Sequence, residues 1–334
     1  MEPRKLASIQ TIAALSPIPG ADAIEVATVL GWQCVVKKGE FQVGDKIIFC
    51  EVDSILPPRP EFEFMKSRNY RVKTIKLRGQ VSQGLVFPLN LLSGGGEFEE
   101  GQDVTEALGV TKFEPELPPI LQGTAKGNFP SFIIKTDETR IQNKPSLLSK
   151  YPDIEMVGCE KLDGSSVTFY IRDGAFGVCS RNLDLKPSDD NVFWKMAVKY
   201  DLETKLRDLN RNIALQGELV GPKIQGNKYG LSEHEVQFFN VFDIDRFSYY
   251  NHEQALAILG QLLLKPVPVV WTETLKDKTV PDMVKLAERK SLLNSKIWAE
   301  GLVIRPINQT IEVPNYGRLS FKVINPQFLL KFNE

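Results

Sequence analysis

Short apolar runs separated by turn-forming residues make up the first part of the chain. From residue 6 to about residue 92, apolar and polar positions alternate over brief stretches, with Gly, Asp and Pro between them. Alternation with a period of two is typical of β-strands, and helical periodicity is almost absent here. Several short strands joined by tight turns build small barrels. We therefore predict an all-β, OB-like barrel in this region.

The pattern becomes irregular after about residue 93, where Gly, Pro and acidic residues predominate around one short helical candidate at 104–108. Such a composition is typical of linkers between compact units. The predicted organisation is an OB-like barrel over residues 1–110, a linker over 111–130 and a larger second domain over 131–334.

The remaining residues mix strand and helix patterns. Amphipathic stretches at 191–209 and 252–264 predict helices, and Asn251 is placed to cap the second of them. The β-type runs around them are joined by turns, such as Asp173-Gly174, that are short enough to allow only hairpins. The second domain is therefore predicted to be α+β with antiparallel sheets.

Length and composition agree with two folded cores. A chain of 334 residues exceeds what one core usually holds, which is about 250 to 300 residues. The 42% hydrophobic and 25% charged content argues against long disorder, and a net charge of −1 gives no overall basic surface. Four cysteines without paired spacing and two histidines form no metal-binding pattern, so the cysteines are interpreted as reduced thiols.

The chain shows no apolar run of the roughly 18 residues that a membrane span needs, and its amino terminus has no apolar core of secretory length. We therefore expect no membrane association. The expected location is intracellular, in the cytoplasm, with the nucleus as the alternative.

One basic stretch of the predicted barrel is a candidate surface for nucleic acid. On a strand face its charges would form a stripe, and an ordinary solvated face is the alternative. Its basic residues are Lys66, Arg68, Arg71, Lys73, Lys76 and Arg78.

An ordered set of motifs in the second domain carries the candidate chemistry. In "CEKLDGSS", Lys161 lies between Glu160 and Asp163, ahead of an Asp-Gly turn on the rim of what the pattern predicts to be a buried hairpin. Such a lysine alone is most often structural, but five further motifs follow in order. They are "SRN" at 180–182, "QGELVGPKIQGNKYG" at 216–230, "FFNVFDID" at 238–245, "AEGLVIRP" at 299–306 and "LSFKVIN" at 319–325.

In this order the motifs resemble those of the covalent nucleotidyltransferase superfamily, which includes polynucleotide ligases and RNA capping enzymes. The sequence is most similar to ATP-dependent RNA ligases, and a barrel ahead of the catalytic domain resembles one family of them. The resemblance covers residues 136–325. It implies an RNA repair enzyme that joins 3′-OH and 5′-phosphate RNA ends, at nicks in duplex, through a lysyl-AMP intermediate and an adenylylated 5′ end.

The resemblance makes Lys161 the nucleophile that attacks the α-phosphorus of ATP. Only a neutral amine is nucleophilic, and the ordinary pKa of lysine is about 10.4. Nearby cations lower such a pKa, whereas Glu160 and Asp163 alone would raise it, so the carboxylates imply a metal. Mg²⁺ or Mn²⁺ suits hard oxygen ligands, which we expect to act largely through the metal's waters. The expected catalytic and metal-binding carboxylates are Asp163, Glu218 and Glu300.

The resemblance also implies contacts to the nucleotide. Arg181, and Arg140 ahead of the lysine motif, would hold the ribose or a phosphate. Phe242 would stack on the adenine, with Phe239 as the alternative. Glu160 completes the expected ATP-binding set, through backbone groups beside it.

Lys322 in the last motif is expected to contact the α-phosphate and to neutralise charge in the transition state. Two residues later the family has a second lysine, but here that position is Ile324. The role is then either absent or taken by another cation. The candidates are Arg318, Arg305 and Lys331.

Other activities stay open on the sequence alone. A GTP-dependent mRNA capping guanylyltransferase shares the lysine motif, and a DNA ligase shares most of the set. A non-catalytic RNA-binding protein would need only the barrel. The physiological RNA could be a nicked duplex, a broken tRNA loop or single strands, and the protein is expected to act as a monomer.

Overall fold

A computed structural model describes residues 4–92, 97–114 and 123–332. Strands are the main elements of its N-terminal part, as predicted. The elements are β1 Ala7–Pro17, β2 Ile24–Val29, β3 Trp32–Lys37, β4 Lys46–Cys50, β5 Ser54–Ile55, a 3₁₀ helix Pro60–Arg68, β6 Thr74–Leu77, β7 Gln80–Gln83, β8 Leu85–Phe87, a 3₁₀ turn Leu89–Leu91, α1 Thr105–Leu108 and β9 Thr111–Lys112.

The barrel is built around a five-stranded antiparallel sheet in the order β3-β2-β1-β4-β8. The long strand β1 pairs with both β2 and β4, and a register shift between Ile12 and Ala14 lets it bend from one pairing to the other. Neighbouring residues of β4 point to opposite faces, so Ile48 and Phe49 belong to two different apolar clusters.

The second part begins after residues 115–122 of the predicted linker, which lie outside the described residues, so the predicted domain limits stay a prediction. Its elements are β10 Ala125–Asn128, β11 Thr139–Arg140, a 3₁₀ turn Ile141–Asn143, α2 Ser146–Lys150, β12 Glu155–Lys161, β13 Ser165–Arg172, β14 Ala175–Cys179, β15 Leu183–Leu185, α3 Val192–Lys199, α4 Leu202–Asp208, β16 Ile213–Val220, a 3₁₀ turn Gln225–Asn227, β17 Glu235–Asp243, β18 Ser248–Tyr249, α5 His252–Gln261, β19 Val269–Thr274, α6 Val280–Ala287, β20 Gly301–Pro306, β21 Glu312–Val313, β22 Gly317–Arg318, β23 Phe321–Ile324 and α7 Pro326–Phe332.

Two sheets organise this part. A seven-stranded sheet has the order β10-β15-β14-β13-β16-β17-β18, and a five-stranded sheet has the order β11-β23-β20-β12-β19. Neighbours within them are antiparallel except β11 and β23, which run parallel. Helices α3, α4 and α5 contribute to the core of the first sheet, whereas α2 and α6 cover the second. The predicted α+β class with antiparallel sheets is confirmed.

The structure confirms a turn and a helix cap that the sequence predicts, and it divides one predicted helix into two. Asp173 and Gly174 both have positive φ, of 49° and 76°, and join β13 to β14 as the predicted hairpin. Asn251 caps α5 by accepting from the Gln254 N–H at 2.9 Å in a capping box. The helical stretch at 191–209 is broken at Asp201, where φ is 51°.

The Asp163-Gly164 turn does not form the predicted hairpin. Strand β12 ends at Lys161 in the five-stranded sheet, and β13 starts at Ser165 in the seven-stranded sheet. Leu162, Asp163 and Gly164 therefore carry the chain from one sheet to the other. Lys161 lies at the seam between the two sheets.

The barrel docks on the second part through the β2–β3 turn. The Gly31 N–H donates to the Gln142 carbonyl at 2.9 Å, and Trp32 Nε1 donates to Asn143 Oδ1 at 2.5 Å. A Cβ at Gly31 would lie 2.8 Å from Gln142 Cα and 3.2 Å from a Val280 methyl carbon. Only glycine allows this approach.

Gly31→Ala is expected to lower the free energy of unfolding by about 1 to 3 kcal/mol, because the junction must open to admit the methyl group. Urea unfolding measures the change. Gly127→Ala is the matched control, because a Cβ at Gly127 meets nothing within 4 Å. Equal midpoints for the two variants would show that the junction adds no stability.

All four cysteines are buried and free, as expected for reduced thiols. Within the described ranges, we find no helix with the length and apolar character that crossing a membrane requires.

Candidate active site

Lys161 and Glu300 meet at the seam between the sheets. Lys161 ends β12, and Glu300 comes immediately before β20, the strand that pairs with β12. Lys161 Nζ donates to both Glu300 carboxylate oxygens at 2.7 Å. Burial alone would lower the pKa of Lys161, but Glu300 and Glu218 raise it above its ordinary value.

Asp163 and Glu218 bring two more carboxylates to Lys161. Glu218 comes from β16 of the other sheet, and its Oε1 accepts from the Gly164 N–H at 3.1 Å. A Cβ at Gly164 would lie 2.4 Å from the Leu219 carbonyl oxygen, so glycine permits this approach. The structure thus brings together the four predicted residues Lys161, Asp163, Glu218 and Glu300.

The crowding of carboxylates is electrostatically costly. Burial, with Glu300 and Asp163 nearby, raises the pKa of Glu218 to about 8, although Lys161 opposes the shift. The pKa of Asp163 is also raised, by burial and by Glu300. The raised pKa values mean that this buried arrangement favours the protonated carboxyls unless a further cation is bound beside them.

Glu218→Gln is expected to stabilise the protein when ATP and divalent cations are absent. The folded-state pKa of about 8 lies above the unfolded value of about 4.3, so this group stabilises the fold below pH 4 and loses that contribution as the pH rises to 8. A neutral amide avoids the loss. The free energy of unfolding should exceed that of the wild type by about 2 kcal/mol at pH 8 and by less at pH 5.

Urea unfolding at several pH values measures this difference. Glu312→Gln, which changes an exposed glutamate of β21, serves as the control. The difference between its free energy of unfolding and that of the wild type should not change with pH. If the free energy of unfolding of Glu218→Gln differed from that of the wild type by the same amount at every pH, the raised pKa would be contradicted.

The Glu160 side chain points away from Lys161. Its carboxylate accepts from the Ser291 hydroxyl and, at 2.8 Å, from the Leu292 N–H. Its own N–H donates to the Pro268 carbonyl at 2.8 Å. Glu160 therefore anchors the 291–292 segment beside β12. Its predicted role in binding ATP stays a prediction.

The prediction that Phe242 stacks on adenine is wrong. Phe242 is 0% exposed, and its ring packs between Phe247 and Tyr249 with centroid distances of 5.5 and 5.0 Å. Neither ring face can receive a base. The alternative, Phe239, is half-buried and packs in one cluster with Cys159 and Leu162, which flank the Glu160-Lys161 pair in the chain.

Lys322 and Arg140 lie side by side on β23 and β11. Lys322 Nζ donates to Asp137 Oδ1 at 3.2 Å. Burial, with Lys161 and Arg140 nearby, lowers the pKa of Lys322 to about 8, and Asp137 opposes the shift. The two cations form a positive wall next to the carboxylates.

Arg140 belongs to the junction with the barrel. One of its terminal nitrogens lies 3.7 Å from Asp53, and its guanidinium lies 5.6 Å from the Trp32 ring. Its Nε and Nη1 atoms are buried, and within the described residues they have no hydrogen-bond partner. Buried donors of this kind favour an anionic ligand.

Arg181 is the most exposed of the predicted site residues, with 61% of its side chain accessible, and it lies 3.9 Å from Asp137. It follows β14 at the mouth of the site and contributes positive potential at Glu218. Its predicted contact with a ribose or phosphate stays a prediction.

The missing second lysine has no direct replacement in Arg305 or Arg318. Ile324 is buried. Arg305 donates to the Phe239 carbonyl at 2.8 Å, whereas Arg318 pairs with Glu138 at 2.8 Å. Both guanidinium groups are therefore engaged by other partners, and Lys331, the third candidate, is exposed on α7. Arg140 is the cation that lies beside Lys322.

The predicted basic stripe on the barrel is only partly free. Lys66 pairs with Glu63 at 2.7 Å. Arg71 pairs with Asp53 at 2.9 Å and lies over the Phe113 ring. Lys76 and Arg78 are exposed on the β6–β7 hairpin. Contact of this stripe with RNA stays a prediction.

Asp137, Lys228 and Tyr229 are site residues that the motif analysis did not single out. Lys228 contacts the Asp163 carboxylate, and the Tyr229 hydroxyl accepts from the Asp163 N–H at 2.7 Å. All three lie in quoted or neighbouring motif segments, but nothing local indicates their partners. Asp137 pairs with Lys322 across 185 positions of the chain.

The donor set suits a hard divalent cation. Carboxylate oxygens, here those of Asp163, Glu218 and Glu300, are typical ligands of Mg²⁺ and Mn²⁺ or of their bound waters. Within the ranges that the structure describes, no three His, Cys, Asp or Glu side chains are grouped closely enough to ligate one ion directly. The expected contacts through the metal's waters stay a prediction.

Comparison with known proteins identifies the two parts. A family model described as RNA ligase matches residues 154–324, and one described as an OB-fold domain matches residues 6–89. A search of the curated proteins finds no match.

Among solved structures, Naegleria gruberi RNA ligase is similar over nearly the whole chain. An apo mutant has a TM-score of 0.90 at 36% identity and covers 99% of this chain and 98% of that one. The form with PPi has a TM-score of 0.88 at 37% identity, covering 99% of both. A mutant with ATP and Mn has a TM-score of 0.88 at 36% identity, covering 97% of this chain and 98% of that one.

An OB-fold domain followed by two antiparallel sheets with a lysine and three carboxylates at their seam defines a nucleotidyltransferase of the ligase type. The chain belongs to the RNA ligase family, and it is an enzyme of the EC 6.5.1 type. The predicted resemblance and fold class are confirmed.

Proposed function

We propose that this enzyme is an ATP-dependent RNA ligase that joins 3′-OH and 5′-phosphate ends, at nicks in duplex RNA, through a covalent lysyl-AMP intermediate. The observation that carries the proposal is Lys161 Nζ held by both oxygens of Glu300, beside Asp163 and Glu218. Support also comes from the Naegleria gruberi structures with ATP and Mn, with AMP and Mn, and with PPi.

In the first step the Lys161 amine attacks the α-phosphorus of ATP. A nitrogen–phosphorus bond forms, the bond from the α-phosphorus to the bridging oxygen breaks, and pyrophosphate leaves with that electron pair. The ammonium must first lose a proton, and Glu300 is placed to accept it at 2.7 Å. Lys322 and Arg140 supply fixed positive charge for the phosphates.

We propose Mg²⁺ or Mn²⁺ as the cofactor, held by Asp163, Glu218 and Glu300 largely through its waters. A bound divalent cation supplies charge neutralisation for the carboxylates and the phosphates, and it favours the neutral amine. Phe239 is the proposed stacking partner of the adenine, and Arg181 the proposed contact of the ribose or a phosphate.

In the second step an oxygen of the RNA 5′-phosphate attacks the phosphorus of lysyl-AMP, a phosphorus–oxygen bond forms, the nitrogen–phosphorus bond breaks and the Lys161 amine is released. In the third step the 3′-hydroxyl attacks that 5′-phosphate, a phosphodiester forms and AMP leaves. Both reactions are in-line transfers, for which positioning and charge neutralisation supply most of the catalysis. We propose that the protein acts as a monomer inside the cell, in the cytoplasm or the nucleus, and its free cysteines support a reducing compartment.

Incubation with ATP labelled at the α-phosphate tests the first step, followed by addition of a nicked duplex with RNA at the 3′-OH. We expect labelled protein, then a labelled 5′ end, then sealed RNA with release of AMP. Labelling by GTP alone would overturn the proposal in favour of guanylyl transfer. Sealing of nicks with DNA at the 3′-OH, but not with RNA, would change the substrate to DNA.

A further inference from the structure

Lys228 lies inside the site although it belongs to no strand or helix of the domain. It follows the 3₁₀ turn Gln225–Asn227, and its Nζ contacts the Asp163 carboxylate. Both side chains are only 14% exposed. A pair this enclosed is costly to break, because removal of one partner leaves an uncompensated charge.

The ammonium of Lys228 is held from a second direction by the C-terminal helix. Nζ lies 4.3 Å from the centre of the Phe332 ring and 4.9 Å from that of Phe328, both on α7. Two aromatic rings at this distance attract a cation and limit where it can go. Helix α7 also packs against β6 of the barrel. The position of Lys228 is thus set by elements of both parts of the chain.

Tyr229, the next residue, holds the backbone of Asp163. Its hydroxyl accepts from the Asp163 N–H at 2.7 Å, and its own carbonyl accepts from Asn294 Nδ2 at 3.1 Å. Tyr229 is buried. Residues 228 and 229 therefore fix the side chain and the main chain of Asp163 together.

We propose that Lys228 is a positioning residue for Asp163, which holds one carboxylate oxygen and leaves the other for the divalent cation or its waters. Without it, Asp163 faces Glu300 and Glu218 with no counter-charge of its own and would turn toward solvent or toward Lys161. Phe328 and Phe332 act on Asp163 only through Lys228. The inference rests on the function proposed above.

Binding of Mn²⁺, followed by electron paramagnetic resonance with no RNA present, is the primary test. Lys228→Met keeps the length of the side chain and removes its charge, and we expect its Mn²⁺ affinity to fall about 10-fold or more. Lys228→Arg should restore most of the affinity. Lys199→Met is the matched control, since it removes an exposed lysine paired with Glu233 at 3.1 Å, and its affinity should not change.

The rate of lysyl-AMP formation gives the second readout. In Lys228→Met we expect the Mn²⁺ concentration for half-maximal rate to rise by a similar factor, whereas the KM for ATP at saturating Mn²⁺ stays within about twofold. A structural role alone would lower the melting temperature without moving the Mn²⁺ dependence, and that result would overturn the proposal.

Phe332→Leu keeps the Lys228–Asp163 pair and removes one ring, so it tests the same idea should Lys228→Met fail to fold. We expect a twofold to fivefold loss of Mn²⁺ affinity; unchanged affinity in Phe332→Leu would overturn the proposal. If the wild-type enzyme formed no lysyl-AMP, the proposed function would fail. The Mn²⁺ titration would still test whether Lys228 positions Asp163 for the cation.

Discussion

Lys161→Met is expected to take up no label from ATP and to lower sealing of a 5′-phosphate nick on the order of 10³-fold or more. Removal of the covalent nucleophile blocks the first step, and two other lysines of the site are paired with carboxylates. Lys322 is held by Asp137, and Lys228 is held by Asp163. Gel analysis of protein incubated with labelled ATP measures the uptake.

A nick that already carries AMP on its 5′ end provides the internal control for Lys161→Met. Closure of this nick uses the 3′-hydroxyl as nucleophile and does not need the lysine amine, so the variant should still perform it. Lys278→Met removes a surface lysine paired with Glu273 at 2.8 Å and should label like the wild type. Covalent AMP on Lys161→Met would disprove the assignment of the nucleophile.

Glu300→Gln is expected to slow lysyl-AMP formation by about 10² to 10³-fold. The carboxylate binds Lys161 Nζ through both oxygens and is the nearest acceptor for its proton. A neutral amide accepts that proton poorly. Because Glu300 raises the pKa of Lys161, the variant should also reach half of its own maximal rate at a lower pH than the wild type.

Single-turnover labelling across the pH range measures both effects in Glu300→Gln. Glu273→Gln is the matched control, since it breaks a lysine–glutamate pair of similar length on the surface. A slow rate with an unchanged pH midpoint would mean that Glu300 acts on the metal or the phosphates and not on the Lys161 proton.

The order of motifs was enough to predict which charged side chains meet. Each of the four charged residues of the site stands at or near the end of a strand, and these strand ends meet at the seam between the two sheets. The four are Lys161, Asp163, Glu218 and Glu300. The identity of these residues is a local property of the sequence. The partners of Asp137 and Lys228 are not, because their contacts join segments that nothing in the chain relates in advance.

Phe242 shows why ring orientation could not be predicted. In a regular strand, residues two apart share a face, so Phe238 and Phe242 would point the same way. A bulge at Phe239 shifts the register against β16 and reverses the faces beyond it. Phe238 and Val241 therefore share one core, whereas Phe242 enters another. A bulge in the middle of an apolar run leaves no mark in the pattern.

The direct crossing from β12 to β13 sets a limit on how far the nucleophile can travel. Only Leu162 separates Lys161 from Asp163, so their Cα atoms can be at most about 7 Å apart whatever the sheets do. In the proposed sequence the first two steps take place at the phosphorus of AMP, whereas the third needs the 5′-phosphorus of the RNA at the centre of the site. The tether makes Lys161 and Asp163 a single moving unit, so any repositioning between steps must come from the groups that distant segments supply: Arg140, Lys322 and the barrel behind them.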